Sequence, residues 1–303
     1  MLVPFVCSWH ESLLDIFAQV IVEVIVLLTV VVLIQRILID QQANGAVPSD
    51  GRVFLKFGVD LCIKVVGLLD LLLALGGDVA PYAARATEMI PIVFLSSADP
   101  VRLGLAASLA RPSHNATGVT LLLDDTASKR LELIKEAAPR VRRTAFLWNP
   151  DHPDNELLEA QRAAPALGLE LHPVEMRGPN DLEGALRTMS DARPDALYVV
   201  SSRHTVLSIP RIMEFAQTNR IPVAGGWGAW ARAGGLLSFG PNVNEMARRT
   251  AEYVDKVLKG AKPAELPIQQ PTKFELVINV KAGKAMGIDV PPTLLARADE
   301  VIE

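Results

Sequence analysis

The sequence predicts an α/β protein built from parallel sheets that helices cover on both faces. Residues 90–100, IPIVFLSSADP, run apolar without alternation and then turn polar, which is typical of a strand buried on both faces. From residue 143 onward, similar apolar segments recur about every 26 residues, the length of one strand plus one crossover helix. Right-handed crossovers between such units give a parallel sheet with helices on both sides.

The first 69 residues differ from the rest of the chain and form an atypical apolar region. Residues 20–34 carry one charge, Glu23, and extension to residue 39 gives about the length of a short membrane span. A secretory signal would carry a Lys or Arg before the apolar run, and none is present here. Arg36, which follows the run, would place the carboxyl side of a membrane segment in the cytoplasm. The two interpretations are a possible membrane segment at 20–39 and a buried or non-native apolar helix.

Residues 70–125 are predicted to form the remainder of a first α/β lobe. The run 71–77, LLLALGG, predicts a buried strand, and Asp78 then suits the N-cap of a helix with Pro81 in its first turn. After the strand within 90–100, we expect a short helix at 104–110 and a strand at 119–123.

Residues 126–240 are predicted to form a second α/β lobe. Thr126 is expected to cap a helix that Pro139 ends. Strands are expected at 144–148, 169–174, 195–200, 221–226 and 236–239, with helices at 157–167, 182–189 and 209–216.

Residues 241–303 are predicted to form a return between the lobes, a long helix and a C-terminal segment. Asn242 suits the cap of the long helix, which carries one apolar stripe and ends at Gly260. A strand is expected at 274–280 and a short helix at 281–286.

Polar residues at the ends of the predicted strands are the candidates for ligand binding. Parallel strands open their carboxyl ends at one edge of a sheet, where ligands bind in such folds. Hydroxyls, backbone N–H groups and a few carboxylates there suit a small polar molecule such as an amino acid. The candidates are Gly77, Asp78, Ser96, Ser97, Asp99, Asn149, Ser201, Ser202, Gly226 and Trp227.

Three of the four tryptophans lie at or beside these strand ends, namely Trp148, Trp227 and Trp230. Their rings either stack on an apolar part of a ligand or fill the seam between helices and sheet.

Catalytic and metal-binding patterns are weak, so we predict a protein that is not an enzyme and needs no cofactor or metal. Ser201 and Ser202 precede His204, but adjacency in sequence is not geometry, and the G-x-S-x-G motif is absent. The five histidines show no paired ligand spacing. His152 and His204 lie near strand ends, where each could touch a ligand, but a surface position is favoured for both. Asp124 and Asp125 are expected to cap a helix or face solvent.

The composition argues against nucleic acid as a partner and against a disulfide-stabilised fold. The formal net charge of -4 gives no basic footprint for nucleic acid. Two cysteines, Cys7 and Cys62, do not form a disulfide framework.

Several stretches, among them IPIVFLSSADPV (90–101), SLARPSHNATGV (108–119) and LWNPDHP (147–153), resemble the ABC-transporter substrate-binding proteins of the tryptophan/tyrosine type. The resemblance covers about residues 71–303 and includes the stretches 129–136, 195–200, 233–242, 253–288 and 291–303. It implies a type I periplasmic-binding fold of two α/β lobes joined by a multi-strand hinge, with ligand bound in the cleft. It also implies docking on an ABC permease in the membrane, a periplasmic or extracytoplasmic location and a monomer.

The resemblance implies a role in the family's ligand loops for the same candidate residues. Gly77 and Asp78 match the first-lobe ligand loop, and the turn containing Ser96, Ser97 and Asp99 matches the next one. Asn149 falls in the second-lobe N-P-x-x-P turn, Gly226 and Trp227 match the last cleft loop, and 240–242 matches a hinge crossing. Ser201 and Ser202 stand where many members carry a polar turn with an aspartate, which leaves the ligand open.

Residues 1–69 do not match the family, whose members begin with a signal sequence and the first strands of the first lobe. The first lobe is therefore expected to be incomplete or rearranged. Either the chain is a membrane-anchored variant or its start is altered, for example by a reading-frame change, which we favour.

The leading function is capture of a small solute for import. The alternatives are a membrane-anchored ligand-sensing domain of the same fold and a non-functional paralogue with an altered start. An enzyme is the least favoured class of function.

Overall fold

Two sheets, one of three strands and one of seven, organise the part of the chain that the structure, a computed structural model, describes: residues 70–77 and 79–303. Both sheets belong to one unit, Asp70–Glu303. The predicted α/β fold of mostly parallel sheets flanked by helices is confirmed. The membrane segment proposed at 20–39 lies outside the described residues. In 70–77 and 79–303 no helix combines the length and apolar character needed to cross a bilayer.

The first sheet contains β1 (Leu72–Leu75), β2 (Ile92–Ser96) and β3 (Ala116–Thr120), all parallel and in that order. Helix α1 (Ala80–Ala86) connects β1 to β2 and has a proline in its first turn, as expected. Val79 occupies its N-cap position, and Asp78 lies outside the described residues.

Strand β3 lies three residues earlier than predicted, because Gly118 lets it approach β2 closely. Gly118 pairs with Phe94, and a Cβ built on Gly118 would lie 2.0 Å from the Phe94 carbonyl oxygen. Only glycine tolerates that approach together with its φ of 153°.

The helix predicted at 104–110 is wrong, since turns and bends fill this segment. Gly104 adopts a left-handed φ of 70°, which interrupts helical backbone geometry. The N–H groups instead bond outside any helix, as Leu105 does to Pro100 (2.9 Å) and Ala107 to Pro112 (2.9 Å).

The second sheet has the strand order β10-β9-β8-β7-β6-β4-β5 and is parallel except between β8 and β9. Its strands are β4 (Arg143–Trp148), β5 (Glu170–Glu175), β6 (Ala196–Val199), β7 (Val223–Gly225), β8 (Leu237–Pro241), β9 (Phe274–Asn279) and β10 (Glu300–Ile302). The helices among these strands are α2 (Ala127–Ala137), α3 (Glu156–Ala163), α4 (Leu182–Ala192), α5 (Arg203–Leu207), α6 (Ile209–Thr218), α7 (Gly228–Arg232), α8 (Val243–Leu258), α9 (Val280–Ala285) and α10 (Pro292–Leu295).

Two apolar cores cover the faces of the second sheet. On one face, Leu131 and Ile134 of α2 pack with Phe146 and Tyr198 of the strands. On the other, α4 and α6 bury their apolar stripes against side chains such as Leu197. Because helices cover both faces of this sheet, successive side chains of its central strands are buried on opposite faces, and the strands are continuous apolar runs in the sequence.

Helix α8 returns the chain to the first sheet. Asn242 caps it as predicted, because its Oδ1 accepts the Glu245 N–H at 3.0 Å. Tyr253 and Val257 of α8 pack against Val93 of β2. The chain therefore passes between the sheets after β3, before α8 and again before β9.

Candidate ligand-binding site

The loops beyond the carboxyl ends of β2 and β4 meet, which joins the first sheet to the second. Ser97, directly after β2, places its Oγ 3.0 Å from Nε2 of His152, which lies four residues beyond β4. Nδ1 of the same ring contacts the Asp154 carboxylate. A carboxylate can only accept, so Nδ1 carries a proton, and Nε2 shares a hydrogen bond with the Ser97 hydroxyl.

His152 is 7% exposed, so the expectation of a surface histidine is wrong. No local pattern could have found its role, because its partner Ser97 lies 55 residues away in another sheet.

The loop that carries His152 is ordered by its own hydrogen bonds. Asn149 Oδ1 accepts the Asp151 N–H at 2.9 Å, and the Asn149 carbonyl accepts the His152 N–H at 3.0 Å. Asp154 Oδ1 accepts the N–H of Glu156 at the start of α3 (3.0 Å). The Asn149 side chain, a predicted site residue, thus shapes this turn.

The candidates after β1 and β2 divide into two groups. Gly77 packs under Ser97, since a Cβ built there would lie 2.8 Å from Ser97 Oγ. Ser96 donates to the Ala98 carbonyl at 2.9 Å, and exposed Asp99 accepts the Val101 N–H at 2.9 Å. Gly77 and Ser97 therefore lie together, whereas the side chains of Ser96 and Asp99 hold the turn.

Ser201 and Gly226 come together at the ends of β6 and β7. A Cβ built on Gly226 would lie 3.2 Å from Ser201 Oγ, which also accepts the Trp230 indole N–H at 3.3 Å. Trp230 is fully buried and fills the seam between helix and sheet. Ser202 caps α5, accepting the Thr205 N–H at 3.3 Å.

Trp227 is the tryptophan whose surroundings best suit a ligand. It is partly buried and packs against Leu123 and Met246, at two of the passages between the sheets. Its buried Nε1, like that of Trp148, has no hydrogen-bond partner among residues 70–77 and 79–303, but of the two only Trp227 packs against Leu123. A buried donor without a partner costs free energy unless another molecule satisfies it. Trp148 belongs to the core cluster beside α2 and α3.

A buried ionic network that the sequence did not reveal lies behind these loops. Arg130 of α2 contacts Glu156 and the Tyr198 hydroxyl through Nη1, and its Nη2 donates to the Leu123 carbonyl at 2.8 Å. Its Cζ would lie 3.4 Å from a Cβ on Gly226, so the network lines the same region. Arg130 was unremarkable in sequence because it occurs in an amphipathic, charge-rich helix.

The environment shifts the titration of this network. Burial raises the pKa of Glu156 to about 7, although the neighbouring Arg130 guanidinium acts to lower it. Burial likewise raises the pKa of Tyr198 well above its ordinary value. Burial is the largest single influence on the pKa of Arg130 and acts to lower it, but the combined effect of Glu156, Tyr198 and Asp154 is larger, so the pKa is raised.

Two further motifs have structural explanations. Asp124 pairs with Arg102 at 3.3 Å, and the residues that the structure describes contain no group of three or more His, Cys, Asp or Glu placed to hold a metal. Asn115, which with Ala116 and Thr117 matches an N-glycosylation sequon, lies directly before β3, where its Nδ2 donates to the carbonyls of Thr87 and Ile90 at 2.9 Å each.

Comparison with known proteins gives a consistent family. The family model for ABC transporter substrate binding protein matches residues 64–302. The tyrosine-binding protein of Clostridioides difficile (strain R20291) is 25% identical over 248 residues, which covers 81% of this chain and 69% of that protein.

Solved structures of proteins that bind small molecules, and others of the same fold, are similar to this chain. The ABC domain from Streptococcus pneumonia in complex with L-Trp superposes with a TM-score of 0.70 at 26% identity, covering 77% of this chain and 79% of that one. A conserved domain protein from Vibrio cholerae gives a TM-score of 0.69 at 28% identity, covering 77% and 78%. A periplasmic solute binding protein from Actinobacillus succinogenes with bound D-allose shares the fold at 13% identity, with a TM-score of 0.50 over 71% and 79% of the chains.

Proposed function

Because the chain belongs to the ABC transporter substrate-binding protein family, we propose that it captures an amino acid or a related small polar molecule for import. The resemblance recognised in the sequence is confirmed by the match over residues 64–302. Proteins of this family bind small molecules, work with ABC permeases and lie outside the cytoplasm. They are not an enzyme family.

The observation that carries the proposal is the meeting of loops from both sheets beside an unsatisfied aromatic donor. Ser97 and His152 bring the two carboxyl edges together, and Trp227 offers a buried N–H near Leu123. A ligand between the edges would contact both sheets, as ligands do at strand ends of open α/β folds.

Aromatic amino acids are the first ligands to test. One relative is named for tyrosine and one structural neighbour holds L-Trp. An indole ring such as that of Trp227 offers both a stacking face and a hydrogen-bond donor. The ten strand-end candidates remain the proposed ligand-binding set. Gly77 lies beside Ser97 at the contact between the sheets, Gly226 and Trp227 lie beside Leu123, and Asp78 lies outside the described residues.

The arrangement of the lobes is part of the proposal. We assign 70–125 to the first lobe, 126–240 to the second and 241–303 to the return. We further propose that the protein acts as a monomer, and membrane association through 20–39 stays a prediction.

Titration calorimetry of the full chain with L-Trp, L-Tyr, L-Phe and L-Leu tests the proposal. Calorimetry avoids the fluorescence of the aromatic ligands themselves. Saturable binding of one amino acid at a stoichiometry near one would support it. Heats of dilution alone with all four would contradict the amino-acid assignment.

A further inference from the structure

The Ser97–His152 contact joins the two sheets directly. Ser97 belongs to the loop after β2, His152 to the loop after β4, and their polar atoms lie 3.0 Å apart. Both residues are largely shielded from water. A hydrogen bond in such a place retains more of its strength than one at the surface.

A second bond reinforces the first. Arg102, five residues after Ser97, donates from Nη2 to the Pro153 carbonyl at 2.7 Å. Two positions of the loop after β2 therefore bind two adjacent positions of the loop after β4. Arg102 is more exposed than Ser97, so its bond is more easily exchanged for water.

The geometry of His152 is fixed from within its own sheet. Asp154 holds the Nδ1 side of the ring, and the same carboxylate accepts the Glu156 N–H at 3.0 Å. The ring consequently presents its Nε2 to the first sheet.

The Ser97–His152–Asp154 arrangement is not built for hydrolysis. Ser97 Oγ lies between Gly77 and His152, and the neighbouring Ala98 N–H already donates to Ser96 Oγ at 3.2 Å. A nucleophile of this kind needs a free donor nearby for the developing oxyanion.

We propose that Ser97 and His152 form a clasp that sets the balance between open and closed arrangements of the two sheets in the absence of ligand, with Asp154 as its positioning residue. This inference rests on the proposed function, because it assumes that the protein opens to admit a solute. The clasp stabilises the closed arrangement through a contact that does not involve the ligand. It therefore changes the populations of the open and closed arrangements and, through them, the apparent affinity for the ligand.

Spin-label distance measurements on the ligand-free full chain test the clasp. Labels at Met89→Cys and Leu207→Cys report on the two sheets, since these side chains are 89% and 74% exposed. Cys7 and Cys62 are replaced by serine so that labelling is specific. Ser97→Ala and His152→Phe are each expected to raise the open-to-closed ratio about fivefold, the effect of one net hydrogen bond.

The double variant separates a clasp from unrelated structural damage. Ser97→Ala combined with His152→Phe should shift the ratio no further than either change alone, because both remove the same bond. His152→Gln, which keeps a polar group, should restore part of the closed population. His114→Phe, at an exposed histidine of the first sheet, should leave the distances unchanged.

Unchanged distance distributions in both single variants, or additive shifts in the double variant, would overturn the clasp. Failure of the proposed function is a separate result. In that case wild-type protein would bind none of the four amino acids, while the distances could still depend on Ser97 and His152.

Discussion

The hydroxyl of Tyr198 donates a 2.9 Å hydrogen bond to Oε2 of Glu156, and both side chains are almost completely buried. Arg130 binds the same pair and also the Leu123 carbonyl, on the passage between β3 and α2. Helices α2 and α3 and strand β6 are thus tied to that passage by one network. Its charge state should affect stability and, through the passage, the geometry of the site.

The first prediction concerns the pH dependence of stability through Glu156. Its pKa rises from an ordinary value of 4.5 to about 7 on folding, so the folded state binds more protons between these values. This contribution is fully present below pH 4.5 and is lost as pH rises through about 7. Its slope is at most about 1.4 kcal/mol per pH unit.

Urea unfolding at pH 5, 6, 7 and 8 measures this slope. Glu156→Gln should remove it, because the variant no longer titrates in this range. Glu159→Gln, on the outer side of the same helix, should retain the wild-type slope. Equal slopes for wild type and Glu156→Gln would show that Glu156 is not the titrating group.

The second prediction is that Arg130→Met destabilises the fold by about 3–5 kcal/mol. Above about pH 7, where Glu156 is ionised, the change leaves a buried carboxylate without its partner, and such a charge is costly in an apolar interior. Lys129→Met on the same helix removes only an exposed pair with Glu132 and should cost about 0–1 kcal/mol. Urea midpoints of the two variants give the comparison, and similar midpoints would contradict the assigned role.

The third prediction is that Gly118→Ala disrupts the pairing of β2 and β3. The new methyl group would lie 2.0 Å from the Phe94 carbonyl oxygen at a φ of 153°. We expect a loss above about 3 kcal/mol, since strain and a steric clash combine. Faster amide exchange in β2 and β3 would report it.

Gly104→Ala is the matched control for that variant. Gly104 also has a positive φ, 70°, but a Cβ built there meets no atom within 4 Å. Its cost should be about 1 kcal/mol. If both variants lost the same stability, backbone conformation alone, and not the close approach, would be the cause.

The fourth prediction is that Trp227→Phe weakens binding of the ligand identified by calorimetry about fivefold. The variant keeps an aromatic face but loses the buried N–H, and a ligand hydrogen bond is worth about 0.5–1.5 kcal/mol net. Trp148→Phe, in the core cluster beside α2, should bind like wild type. Full affinity in Trp227→Phe would remove this indole from the proposed site.

Sequence patterns predicted most of the helices and strands because periodicity and caps are local. Asn242 caps its helix through its side chain, Thr126 occupies the N-cap position of α2 without a capping hydrogen bond from its side chain, and the strand at 90–100 occupies the centre of the first sheet. The predicted helix at 104–110 failed because Gly104 adopts a left-handed conformation that propensity does not encode.

The site was less accessible from sequence because its contacts join distant segments. Ser97 was identified as a strand-end hydroxyl, but its partner His152 was expected at the surface. Ser202 and Asn149 carry the right chemistry for a ligand, yet their side chains satisfy local backbone groups. Only the folded chain distinguishes these uses of the same residue types.

The late return of α8 to the first sheet has a consequence for synthesis on the ribosome. Val93 of β2 gains its neighbours Tyr253 and Val257 only after about 160 further residues have been translated, which takes about 10–30 s at ordinary elongation rates. During that interval the nascent sheet exposes an apolar face to other chains. The order of these segments along the chain therefore leaves this face of the sheet without its helix until the final fifth of the chain is synthesised.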